Sequence, residues 1–238
     1  MTKKILFGLT TTEKSDWHDK SAEISELGIQ EIALFPTGLA PEQRQELYKL
    51  LETTPLEAIP YVCLRADFIP EEVDYLIGRY KTKALSYQAD DSATTLLTTL
   101  GRYASMIYVE NPRDLKHNGF FNRETLSRSQ VFGVCLDLAS YEETRLKDKL
   151  NFRLLGDILG AFPVDVNHVT AFRSSAVLRM FHQTHAAHYS ETLHDFDYLL
   201  GIPANYFGKY IALELENSLL EQREIIHYLE LMLRGRLV

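Results

Sequence analysis

The chain has 238 residues, 45% of them hydrophobic and 24% charged, a balance that supports a packed core and excludes collagen, coiled coil and general disorder. Its 33 acidic residues against 25 basic ones leave a net charge of −8, which repels a phosphate backbone and argues against nucleic acid as a partner. Cys63 and Cys135 lie inside apolar runs and read as reduced, buried thiols of a cytoplasmic protein. The N-terminus lacks the pattern of a signal peptide, and no uncharged run reaches the roughly 18 residues of a membrane span.

Short runs of β-branched and apolar residues alternate with longer stretches of helical period. Residues 4–9 predict the first strand, and Asp16 opens a helix through Ile24 and Leu27 that Gly28 ends. Glu31–Phe35 is the second strand, followed by a helix with Pro41 in its first turn and Leu47, Leu50 and Leu51 on its apolar face. Residues 59–65 form the third strand, and Pro70-Glu71-Glu72 starts a helix with Val73, Leu76, Ile77 and Tyr80 on its buried stripe. A strand at 83–88, a helix at 91–103 and a strand at 105–110, closed by Asn111-Pro112, come next.

The sixth strand spans 131–137, a helix lies around 144–159, and the seventh strand spans 165–172. A His-rich connection leads to a helical piece near 196–200, an eighth strand at 209–216 and a last helix at 218–233. Ser218 caps that helix, and Leu219, Ile226, Leu229 and Leu233 form its apolar side. Eight strands alternating with helices predict an α/β fold, a single (β/α)8 TIM barrel over residues 1–238, with an open doubly wound sheet as the rival. Gly8-Leu9-Thr10-Thr11 stands where a dinucleotide fold would carry G-x-G-x-x-G, and no P-loop motif occurs.

Active sites of such barrels lie at the C-terminal strand ends. There the later strands carry Glu110, Asp137, His168 and Glu214 in turn, each among apolar neighbours. Buried charges are costly unless paired or bound to a cation. Three carboxylates and an imidazole suit a divalent metal such as Mn²⁺, Mg²⁺, Zn²⁺ or Co²⁺. The other reading is that each is satisfied separately by hydrogen bonds or an ion pair. Glu216 shares the inward parity of Glu214, one step nearer the mouth, and is a further candidate.

These motifs resemble the xylose isomerase-like TIM-barrel superfamily of sugar isomerases, epimerases and AP endonucleases. Val109-Glu110-Asn111 is similar to the family's Glu-Asn ending strand five, Leu136-Asp137 to its strand-six Asp, His168 to its strand-seven His, and Leu213-Glu214-Leu215 to its last Glu. Weaker likeness extends to Phe7-Gly8-Leu9 and to the run from Leu27 to Ile32. The resemblance implies a metal-dependent isomerase or epimerase of a small sugar or hydroxycarbonyl. In it Glu110 and Glu214 would move a proton next to the carbonyl while a metal on Glu110, Asp137, His168 and Glu214 stabilises the enediolate.

The chain departs from the family at Asp137-Leu138-Ala139-Ser140, which lacks a His three residues after the Asp, and at Ser86-Tyr87-Gln88, where a strand-four His is common. His185-Ala186-Ala187-His188 also replaces a Gly-Glu-Gly signature. A degenerate barrel with a binding role is therefore an alternative, and an AP-endonuclease-like phosphodiesterase a weaker one.

His182, His185, His188 and His194 read as a solvated loop or as one that closes over the mouth, with His185 or His188 touching substrate. Arg173 is placed to bind a substrate phosphate or carboxylate, or to sit on the surface. Trp17, beside His18, offers a sugar-stacking wall or helix packing. The expected partner is a small molecule, without nucleic acid or membrane, and a homo-oligomer is left open.

Overall fold

The computed structural model describes residues 3–12, 15–90, 93–112, 115, 118–173 and 185–237. Its strands, in chain order, are β1 (Lys4–Thr10), β2 (Glu31–Phe35), β3 (Ala58–Cys63), β4 (Ala84–Gln88), β5 (Ile107–Glu110), β6 (Gly133–Asp137), β7 (Val166–Val169), β8 (Ala171–Arg173), β9 (His185–Ala187) and β10 (Tyr210–Leu213). All but β8 and β9 form a closed parallel barrel in the order β1-β10-β7-β6-β5-β4-β3-β2. Between the strands run α1 (Trp17–Leu27), α2 (Pro41–Glu52), α3 (Pro70–Tyr80), α4 (Ala93–Leu100), α5 (Arg123–Arg128), α6 (Leu138–Lys147) and α7 (Lys149–Leu159), and α8 (Leu219–Met232) follows β10. This is the predicted (β/α)8 architecture.

Local signals set the helix ends. The Asp16 carboxylate accepts from the His18 and Asp19 amides at the start of α1, and Gly28 ends it at φ 63°, a left-handed conformation that favours glycine. Prolines open α2 and α3, where their missing N–H costs nothing. Strand alternation then divides the apolar residues into two clusters. Leu6, Phe35, Tyr61, Tyr108, Cys135 and Ala212 are among those filling the barrel. Leu9, Leu34, Val62, Leu85, Val109 and Leu213 are among those pointing outward beneath the helices.

The barrel closes on a glycine. A Cβ on Gly8 would lie 1.5 Å from the Leu213 carbonyl oxygen, so only glycine lets β1 approach β10 there. The β1–β10 ladder ends at Leu6 and Ala212, and a side chain continues it. Gln222 of α8 accepts from the Gly8 amide at 2.7 Å and donates to the Gly8 and Asn217 carbonyls, each at 3.0 Å.

Several boundaries differ from the sequence reading. The strand expected over 165–172 is two: β7 stays in the barrel, whereas β8 leaves it and pairs antiparallel with β9. Its apolar character persists because Phe172 packs on Tyr198, ring centres 5.3 Å apart. The helix expected at 144–159 begins earlier, at Leu138, and breaks at Asp148, whose extended backbone lets its carboxylate cap α7. The helix read at 91–103 stops at Leu100 and tightens into a 3-10 turn, Gly101–Met106, and α5 was not foreseen. The strand read at 209–216 ends at Leu213. Both cysteines are free, and no helix among the described residues is long and apolar enough to cross a membrane.

Candidate active site

Glu110 ends β5, Asp137 ends β6, His168 sits in β7 and Glu214 directly follows β10, so parallel neighbours deliver all four to one end of the barrel. His168 is fully buried, and its Nδ1 lies 3.5 Å from Glu110 Oε2 and 3.5 Å from Glu214 Oε2. That nitrogen has no hydrogen-bond partner among the described residues. The other ring nitrogen, Nε2, is hydrogen-bonded to the Tyr61 hydroxyl, which also bonds Ser86 Oγ and lies 3.8 Å from Cys135 Sγ. The Phe35 ring meets the imidazole edge-on at 5.1 Å. One nitrogen is thus tied down and the other presented to two carboxylates.

Burial alone pulls the His168 pKa down, but Cys135 and Glu110 push it up, and the net value stands well above that of an ordinary imidazole. Burial raises the Glu214 pKa to about 7, with Glu110 adding to the rise and His168 opposing it. Asp137 is raised by burial and by Glu110, against hydrogen bonds from Ser140. A metal-free site therefore retains protons where a cation would otherwise balance the acids.

Part of the predicted donor set is spaced to share a divalent ion: among the described residues the close group holds Glu110 and His168 but neither Asp137 nor Glu214. Two ligand atoms about 2.1 Å from one ion stand roughly 3.0 to 3.5 Å apart at octahedral or tetrahedral angles, close to the spacing of His168 Nδ1 from each glutamate. Cys63 Sγ joins Glu110 and His168 in a group whose ligand atoms all lie within 4.8 Å of one another. Asp137 also serves the backbone, accepting from Ala139 N at 2.9 Å, Ser140 N at 3.0 Å and Ser140 Oγ at 2.6 Å at the start of α6.

Above these residues opens a cavity of about 730 Å³ whose wall includes Glu110, Asp137, Glu214 and His188. The imidazole of His188 is near Glu214, with Nδ1 3.9 Å from Oε1 and 3.3 Å from the backbone carbonyl. Of the remaining sequence candidates, Arg173, Glu216, Trp17 and His194 do not line this cavity. Arg173 pairs with Glu191 at 3.0 Å and donates to the Tyr189 carbonyl, and with Glu216 it lines a neighbouring depression. Glu216 accepts from Thr12 Oγ1 at 2.7 Å. Trp17 belongs to the core, stacked on His18 at 3.5 Å, and does not line the cavity. His185 starts β9 and pairs with Arg173, but its side chain lies outside the described residues, as does His182. His194 is exposed and paired with Asp197.

The sequence reading passed over four residues of this site. Tyr61 and Cys63 share the inward face of β3. Asn111 accepts from the Asp137 amide at 2.7 Å through Oδ1, and its buried Nδ2 has no hydrogen-bond partner among the described residues. Arg65, on the cavity wall, donates through Nε to Asp67 at 3.2 Å and through Nη1 to the Thr37 carbonyl. For Tyr61 and Cys63 the sequence carried no signal, because every residue of β3 is buried.

No protein-family model and no curated protein matches the chain. Among solved structures, the chain is similar to the probable 3-DHS dehydratase AsbF, involved in petrobactin synthesis, from Bacillus anthracis. That match has a TM-score of 0.50 and 14% identity, and covers 96% of this chain and 98% of the other. It is also similar to a truncated 3-deoxy-D-arabino-heptulosonate 7-phosphate synthase from Thermotoga maritima, with a TM-score of 0.50, 11% identity, and 99% and 88% of the two chains covered. Identities this low speak for the fold alone. The chain is a (β/α)8 barrel, closed by eight parallel strands.

Proposed function

We propose that the protein is a divalent-metal-dependent isomerase or epimerase that moves a proton next to the carbonyl of a small sugar or hydroxycarbonyl. The observation that carries this reading is the Nδ1 of buried His168, which stands 3.5 Å from a carboxylate oxygen of each of Glu110 and Glu214. Glu110, His168 and Cys63, whose ligand atoms lie within 4.8 Å of one another, would hold the ion, with Asp137 and Glu214 beside them. A bound Mn²⁺, Mg²⁺, Zn²⁺ or Co²⁺ supplies polarisation of the substrate's carbonyl, which acidifies the adjacent C–H.

Glu110 and Glu214 approach His168 from β5 and from the end of β10, so they flank the space between them. One takes the proton and the other returns it, and a change of face at the carbon gives the epimer. The Asn111 amide, locked through Oδ1, turns its N–H donors to a substrate oxygen.

Calorimetric titration of chelator-treated protein with each metal, followed by deuterium uptake from D2O into ketoses and aldoses, tests this reading. Glu110→Gln with Glu214→Gln is expected to cut exchange at least about 100-fold, a typical contribution of a positioned acid or base. Failure of all four metals to bind, or unchanged exchange in the double variant, defeats the proposal.

A further inference from the structure

The cavity wall is acidic, with Asp67, Asp90, Glu110, Asp137 and Glu214, and among its described residues Arg65 is the one arginine or lysine. This guanidinium is not a loose surface group. Arg44 is fully buried and gripped by Glu72 through two hydrogen bonds, of 2.7 and 2.9 Å. Arg44 also reaches Asp67 at 3.1 Å, so the Asp67 carboxylate is fixed from beneath. Asp67 then accepts from Arg65 Nε at 3.2 Å, and the Thr37 carbonyl accepts from Nη1. Two nitrogens of the fork are therefore anchored, and Nη2 makes no hydrogen bond among the described residues. A planar guanidinium held in this way presents its remaining donors in a set direction, and it recognises flat or tetrahedral oxyanions better than a flexible ammonium does.

We infer that Arg65 is a specificity-determining residue and that the substrate carries an anionic group, a carboxylate or a phosphate, which docks on it. This rests on the reading of the cavity as a hydroxycarbonyl site and names the class of compound within it. Arg65 is the one arginine or lysine among the described wall residues, so an anionic group that docks on it is held at a set place in the cavity, and this sets which end of the ligand faces Glu110 and Glu214. The cavity volume of about 730 Å³ falls within the range of small-molecule sites and leaves room for both ends.

Ribose, ribonate and ribose 5-phosphate separate the possibilities: a neutral sugar, its carboxylate and its phosphate. Their dissociation constants are measured by NMR titration on wild type, Arg65→Met and Arg65→Lys, with Mg²⁺ present and after chelation. At least one anion is expected to bind ten- to a hundredfold more tightly than ribose, the scale of a charge-assisted hydrogen bond. Whichever anion wins identifies the group. Arg65→Met should abolish the preference with ribose binding unchanged, and Arg65→Lys should keep part of it.

Equal affinity for all three compounds in wild type overturns the inference, and so does an equal loss for ribose and the anions in Arg65→Met. If that variant fails to fold, the chelated wild type and Arg65→Lys decide: equal affinities without metal, or a preference that Arg65→Lys leaves whole, overturn the inference. Deuterium exchange is recorded on the same samples. An anion preference without exchange counts against proton transfer alone, whereas exchange without any anion preference counts against the role of Arg65 alone.

Discussion

Tyr61 shows how one hydroxyl sets the character of the whole site. Its bond to His168 Nε2 fixes which ring nitrogen faces Glu110 and Glu214, and its contacts with Ser86 and Cys135 hold the phenol itself in place. Orienting partners of this kind tune metal affinity ten- to a hundredfold. Tyr61→Phe should therefore weaken metal binding by about that factor in a chelator competition. It should also cost about 1 to 3 kcal/mol in denaturant unfolding, because His168 and Ser86 lose a buried partner.

The same residues give the metal-free protein an unusual pH dependence. Glu214 titrates at about 7 in the fold against an ordinary 4.5, so across that interval the folded chain holds a proton that the unfolded chain has released. Stability then falls as pH rises from about 4.5 to 7. His168, raised as well, adds stability that is complete below about 6.5 and is lost as pH rises through its higher folded value. Unfolding in chelator should be easier at pH 8 than at pH 5, by about 1 to 3 kcal/mol. Saturating metal should reverse the slope, because ligands must release their protons to bind it.

Glu110, Asp137, His168 and Glu214 were legible because a polar group that ends an apolar strand needs a partner, and in a parallel barrel those ends converge. Tyr61 and Cys63 were not, since all six residues of β3 are buried and alternation could not say which face was inward. Arg65 was missed because its place depends on the Thr37 carbonyl, which belongs to another loop, and on Asp67, which Arg44 of α2 holds in position.

At the level of elements, strands and long helices followed from periodicity, and the short pieces did not. Strands β8 and β9 have three residues each, too few to show a period, and the apolar run through Phe172 hid the point where the chain leaves the barrel. Asp148 broke a helix whose flanks both look helical, because its carboxylate bonds the Leu150 and Asn151 amides in place of continuing the turn.

Two glycines test this scale with opposite signs. Gly8→Ala places a methyl group against the Leu213 carbonyl, and β1 cannot retreat while its ladder to β2 runs from Phe7 to Thr10. A loss of at least about 3 kcal/mol, or no folded protein, is expected. Gly78, inside α3, has open space around it. Gly78→Ala should stabilise by about 0.5 to 1 kcal/mol on the same denaturation curve.

For the molecule as a whole, the net charge of −8 is unevenly distributed. A share of the acids gathers around the cavity, where their charge favours a cation, and Arg65 is the one arginine or lysine among the described wall residues. The charge that argued against nucleic acid thus becomes part of how the cavity sorts small molecules.

The two thiols inside the barrel extend this to measurement. Cys63 lines the cavity, whereas Cys135 is completely buried and does not. Burial pushes both thiols up, so neither is reactive by charge, and access governs their modification. An alkylating reagent therefore keeps two clocks in one chain. Cys135 should be labelled only when the barrel opens, at a rate that follows global unfolding, while Cys63 should be labelled faster and be slowed by an occupant of the cavity. Mass spectrometry of the two peptides would report occupancy and unfolding separately, before any substrate is known.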